Sequence, residues 1–140
     1  MTALLAGLAP AACTTAQGGV AGDLRRAAEA AAAATSTAEL AVELLADGRT
    51  TRPAADTTVE DALAESQAAE VAVATLNVAT PADADARRRT LDAVQRATTA
   101  LVEARTWVSE PDLAAPSPTA RLARVTAELD ALAAELEGVP

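Results

Sequence analysis

The chain has 140 residues, the length of one domain, and carries a net charge of −9 with 1% aromatic residues and a single Cys. Without His or Lys it lacks the usual general base, the Schiff-base amine and the P-loop cation, and one Cys permits neither an internal disulfide nor a Cys-only zinc site. Nucleic acid is excluded as a partner, because phosphate neutralisation needs a basic surface and single strands need aromatic stacking platforms.

Residues 1–12 (MTALLAGLAPAA) are uncharged and apolar, and they end at Cys13. The run is too short for a transmembrane helix, which needs about 20 residues, but it matches a signal-peptide h-region of about 7–15. Residues 13–22 (CTTAQGGVAG) are small and Gly-rich and read as a flexible tether. Leu4, Leu5, Leu8, the small pair Ala11 and Ala12, then Cys13 and the tether resemble the lipobox region of a bacterial lipoprotein precursor. Pro10 stands where that pattern usually has Leu, Val or Ile, and no Lys or Arg precedes the run. The resemblance implies cleavage before Cys13, diacylglyceryl modification of its thiol, and display of the remaining domain, 23–140, on the extracytoplasmic side of the cell membrane. Two acyl chains suffice for stable anchoring. In composition and layout the whole chain resembles small Ala-rich helical lipoproteins of high-GC Gram-positive bacteria, many without known activity. The alternative is a cytosolic protein in which Cys13 is incidental.

From Asp23 onward the composition predicts helices. Alanine supplies 41 residues of the whole chain, Leu, Glu and Arg add to the strong helix formers, and Ile, Tyr and Phe are absent. The first helix is expected from Asp23 to Asp47, ended by Gly48, with the inward stripe Leu24, Ala28, Ala31, Thr35, Ala38, Val42, Leu45. A second starts near Pro53 to Thr57, where Thr57 and Glu60 fit a capping box; its stripe is Val59, Ala62, Ser66, Ala69, Val73, Leu76. Thr80 as N-cap and Pro81 at the first helical position open a third, with the stripe Leu91, Val94, Thr98, Leu101, Arg105, Val108. After Pro111 and Pro116, Ser117–Pro118 repeats that signal before Leu122, Val125, Leu129, Leu132, Leu136, Val139. Alternating steps of three and four define heptad seams, and four such helices on short loops predict an all-α, antiparallel up-down bundle.

Few residues offer chemistry. The acidic pairs Glu39 with Glu43, Asp61 with Glu65 and Asp83 with Asp85 have no His to complete a dimetal site and no EF-hand loop, so no metal or cofactor is expected. Paired carboxylates for glycoside hydrolysis would need a cleft and sugar-stacking rings. Ser36, Ser66, Ser109 and Ser117 have no activating base. The chain is therefore expected to be a non-catalytic binding or scaffolding protein. Candidate contacts are Trp107, since tryptophan is enriched at interface hot spots, and the basic run Arg87, Arg88, Arg89. Trp107 falls beside the heptad seam, where it is expected to cover Leu113 and the Pro-rich connection. The arginines are expected to be neutralised locally, with Asp85–Arg89, Asp92–Arg96 and Arg124–Glu128 as i,i+4 pairs. The leucine seam of the last helix suits either bundle closure or pairing with another chain, and the second use defines the alternative function, a cytosolic helical adaptor or oligomerisation module.

Overall fold

The computed structural model describes residues 18–110 and 114–138. The signal segment, Cys13, Leu113 and Val139 lie outside the described residues. The expected all-α bundle is present: α1 (Gly19–Ala46), α2 (Arg52–Ala74), α3 (Pro81–Ser109) and α4 (Thr119–Glu137), with no strand among the described residues.

Local chemistry accounts for most of the helix ends. At the end of α1, Gly48 takes φ 67°, its N–H donates to Leu45 O at 3.0 Å and that of Arg49 to Leu44 O at 2.7 Å. This pair of bonds is the Schellman arrangement, which satisfies the last carbonyls and favours glycine at the left-handed position. Thr80 caps α3 as expected, its Oγ1 accepting from Asp83 N at 3.1 Å, with Pro81 behind it. Three boundaries differ from expectation. α1 begins at Gly19, four residues before Asp23, so Gly19 to Gly22 of the expected tether form its first turn. The capping box at Thr57 and Glu60 is not used. Thr51 is the N-cap of α2, accepting from Ala54 N at 3.4 Å, and Pro53 sits in the first turn, where a missing N–H costs nothing. Thr57 Oγ1 instead donates to Pro53 O at 3.0 Å, one turn inside the helix. α4 starts at Thr119 with Pro118, which has no side-chain bond to give, at the N-cap position, while Ser117 Oγ, one residue earlier, accepts from Thr119 N at 3.4 Å. Thr80→Ala should therefore destabilise the fold by ~1 kcal/mol, whereas Thr57→Ala should leave urea midpoints nearly unchanged.

The helices run up, down, up, down. On α3 and α4, Arg96 pairs with Glu128 at 3.2 Å and Arg121 with Glu103 at 2.8 Å, a descending order that only antiparallel helices give. α2 and α3 pair the same way, through Ser66 with Thr98 at 3.0 Å and Gln95 with Glu70 at 3.1 Å. α1 touches all three other helices, while α2 and α4 do not meet. The cross-section is thus a rhombus with α1 and α3 on the short diagonal. Alanine makes that diagonal possible: Ala28, Ala31 and Ala38 on α1 and Ala97 and Ala104 on α3 are completely buried, and methyl side chains let helix axes approach toward the short end of the usual 8–10 Å.

The stripes of α1, α2 and α4 lie where the heptads put them, apart from Leu76, which is half-buried, and Val139. The stripe of α3 is rotated. Its buried positions are Thr90, Ala93, Val94, Ala97, Ala100, Leu101, Ala104, Trp107 and Val108, and Leu91, Thr98 and Arg105 lie half-buried at the edge. Arg105 lays its stem against the seam and reaches Glu60 at 3.4 Å and Asp56 at 3.7 Å on α2, the usual way a long cation borders a core. Two of the three buried polar residues are paired across helices, while the third, Thr90, donates to Ala86 O within α3 at 2.9 Å. Thr35, fully buried, meets Thr126 Oγ1 of α4 at 2.7 Å, and Ser66, also fully buried, meets Thr98. Each pair ties two helices at one height, since sliding either helix would break the cross-helix bond; the Thr35, Thr98 and Thr126 hydroxyls also reach carbonyls of their own helices.

Candidate functional site

The bundle's two ends are each closed by an arginine. At the upper end Arg52, the first residue of α2, donates through Nη1 to the carbonyls of Val108 and Glu110, at the C-terminus of α3. At the lower end Arg87 Nη1 donates to Leu76 O, just past α2, at 3.0 Å. Both arginines satisfy carbonyls that a helix end leaves without an intrahelical donor, and a cation also suits the negative end of the helix dipole.

Arg87 is thereby separated in role from its two neighbours. Arg88 pairs with Asp85 at 2.8 Å, and Arg89 reaches across to Glu135 of α4 at 3.0 Å. The run is not one basic patch: its three side chains diverge to a carbonyl and two separate carboxylates. The i,i+4 pairs expected along α3 and α4 are replaced by bonds between helices. Arg89 takes Glu135 instead of Asp85, and Arg96 takes Glu128, leaving Asp92 and Arg124 outside those pairs. The cause is position: these charges flank the α3–α4 seam, where the facing helix offers a carboxylate at closer range than the same helix does. All are exposed, so each is worth no more than ~1 kcal/mol.

Trp107 is 6% exposed, and its Nε1–H donates to Ala115 O at 2.9 Å. It packs against the α3–α4 connection and lines a cavity of about 570 Å³ walled also by Thr106, Pro116, Pro118 and the Glu103–Arg121 ion pair. As a candidate contact it is therefore largely covered, with 6% of its surface exposed.

The acidic pairs separate as well. Asp83 accepts from Thr80 Oγ1 at 2.7 Å and belongs to the α3 cap; Asp85 belongs to Arg88. Glu39 is half-buried and Glu43 exposed on the outer side of α1. Asp61 and Glu65 stand on α2 beside an alanine-floored groove against α1. Among the described residues no three acidic or sulfur side chains gather closely enough to hold a metal ion. None of the described helices is long and apolar enough to cross a membrane.

Two features escaped the sequence reading. The arginine end-closures link residues more than ten positions apart, so no local spacing signals them. The α1–α2 groove is lined mainly by alanine, including Ala30 and Ala33 of α1 and Ala68 and Ala72 of α2. Repeated alanine on the outward faces of two consecutive helices was its only available signal.

Fold and surface together define an acidic, alanine-seamed, antiparallel four-helix bundle. No family model, curated protein or solved structure matches the chain.

Proposed function

We propose that this chain is a lipid-anchored, extracytoplasmic helical bundle that binds or scaffolds without catalysis, with Cys13 as its anchor. The observation that carries the reading is the order of the first residues: an uncharged apolar run, small residues, one cysteine, a short Thr/Gly stretch, and no charge before Asp23. A folded domain that starts at Gly19, six residues after that cysteine, suits an anchor attached through a short spacer. The described helices offer no span of their own, so in this reading attachment rests on two acyl chains at Cys13.

The function follows from what the bundle has to offer a partner. Its buried and inter-helix polar groups serve caps, hydroxyl pairs and ion pairs, while its outer surface is acidic and its grooves are small and apolar. Binding through shape and apolar contact, held close to a membrane, uses those properties; acid–base or nucleophilic chemistry does not. The adaptor alternative relied on the leucine seam of α4. Leu122 and Leu129 are fully buried, with Leu132 at 9% and Leu136 at 4% exposure, so pairing through that seam would require α4 to leave the bundle.

Mass spectrometry of the protein recovered from native membranes tests the anchor. The expected N-terminal peptide begins at Cys13 and carries a diacylglyceryl group, and Cys13→Ala abolishes metabolic labelling by a lipid precursor. Recovery of an unmodified peptide spanning residues 1–17, or a label that survives Cys13→Ala, overturns it.

A further inference from the structure

We propose that the groove between α1 and α2 is the docking site of the chain's own apolar run, residues 3–12, in the uncleaved protein. The proposal does not rest on lipidation of Cys13.

The groove has the size and character for such an occupant. Two cavities of about 520 and 400 Å³ share Ala30 and Glu65 and so form one continuous furrow. It runs from Leu24 and Leu76 at the lower end of the bundle to Thr37 and Thr58. At 1.5 Å per helical residue the stretch from Leu24 to Thr37 is about 20 Å long, a length that about six residues of extended chain cover, so the part of the run from Leu4 to Ala9 fills it and the residues that follow lead back to Gly18. Its floor is methyl groups, which leave recesses that larger apolar side chains can fill, and Leu4, Leu5 and Leu8 are available to fill them.

Attachment favours this occupant over others. Residues 13–17 join the run to Gly18, at the same lower end where the groove opens. Five residues reach up to ~17 Å, whereas Leu24 lies only about 9 Å along the axis from Gly18. Gly18 and Gly19 both take positive φ, 110° and 51°, so the backbone turns where it enters α1. A Cβ at Gly18 would stand 2.8 Å from Gly22 Cα, which makes glycine a requirement of that turn. A tethered segment also meets the groove at an effective concentration on the order of millimolar.

Charge argues the same way. Asp23 and Arg26 pair with each other at the lower end of the groove, and among the described residues Asp61 and Glu65 on the rim make no ion pair, so another molecule of net charge −9 meets repulsion there, whereas residues 3–12 bring no charge at all. Cleavage before Cys13 would then empty the groove and uncover an apolar surface only in the mature protein.

A nitroxide on Thr2→Cys, in a Cys13→Ser background of the full chain, reads the position of the run by NMR. Docking predicts loss of amide signal at Ala33, Thr37, Thr58 and Asp61, at the far end of the groove. That loss should vanish in Ala30→Leu/Ala68→Leu, which fills the groove from two exposed positions. It should vanish equally in Leu4→Ser/Leu5→Ser/Leu8→Ser, which leaves the bundle sequence intact. Broadening centred on Gly18 and indifferent to both variants overturns the proposal. So does broadening that appears only between spin-labelled and isotope-labelled molecules, which would make a second copy the occupant.

Discussion

Replacing Trp107 with alanine should lower the unfolding free energy by about 3–5 kcal/mol, followed by helical circular dichroism in urea. The ring is the largest side chain in a core where small ones dominate, and it is 6% exposed. Its removal takes away packing at the upper end of α3 together with the Nε1–H bond to Ala115 O. That bond holds the later part of the Pro-rich connection, three residues before the N-cap of α4, against the end of α3. Trp107→Phe separates the two contributions. It keeps most of the buried ring surface and loses the hydrogen bond, for a cost near 1 kcal/mol. With domains of this size stable by only about 5–15 kcal/mol, the alanine variant should lose a large share of its folded population at modest urea, and the phenylalanine variant should not. In the wild type the single Trp should emit at short wavelength and resist acrylamide quenching until the bundle unfolds.

How far the fold could be read from residues depended on side-chain size. Where Leu and Val mark one side of a helix, as on α4, the heptad alone placed Leu122, Val125, Leu129, Leu132 and Leu136 inside, and all five are buried. On α3 the marks are sparse. Ala93, Ala97, Ala100 and Ala104 are buried, yet an alanine in a sequence does not announce a face, because a methyl group sits nearly as well in water as in a core. Leu91 then drew the expected stripe toward itself, although it is only half-buried, and Val102, 48% exposed, shows how loosely size tracks burial on this helix. The true face follows from the diagonal contact with α1, which no single helix encodes.

Caps and charges follow the same logic. Thr80–Pro81 was legible because cap and proline are adjacent and unambiguous. At the start of α2 the expectation rested on the capping box at Thr57, but the helix begins a turn and a half earlier, with Thr51 as N-cap and Pro53 in the first turn, where proline is tolerated. The i,i+4 rule sees one helix at a time, so Arg89 and Arg96 were assigned to Asp85 and Asp92. Their carboxylates on α4 became visible only with the packing. The candidate site shows the sharpest division. Cys13 is conspicuous in the sequence and lies outside the described residues, whereas the α1–α2 groove is conspicuous in the structure and silent in the sequence.

Leu129→Ala should cost about 2–5 kcal/mol, and the composition of the core places the result in the upper half of that range. Of the 29 buried apolar residues described, 15 are alanine, seven are leucine and six are valine, with Trp107 the remaining one. When a leucine is truncated in an ordinary core, neighbouring Leu, Ile or Met side chains rotate into part of the space and recover some contact. Alanine has no rotamer to offer, so the hole closes only if whole helices move. Movement of α4 is opposed by the Thr35–Thr126 bond and by the Arg96–Glu128 and Arg121–Glu103 pairs, which fix its height against α1 and α3. The cavity should therefore persist, and the penalty should approach the unrelaxed limit. Two comparisons sharpen the expectation. Leu132→Ala, at a position 9% exposed, should cost less, because its outer edge is already in contact with water. Leu40→Ala, on the outside of α1 at 55% exposure, should change stability by no more than about 0.5 kcal/mol. A urea series that ranks Leu129 above Leu132 and both well above Leu40 supports the rigid, methyl-walled core. Near-equal losses at Leu129 and Leu40 would mean that α4 slides to heal the gap and that the hydroxyl and ion-pair contacts do not fix its register.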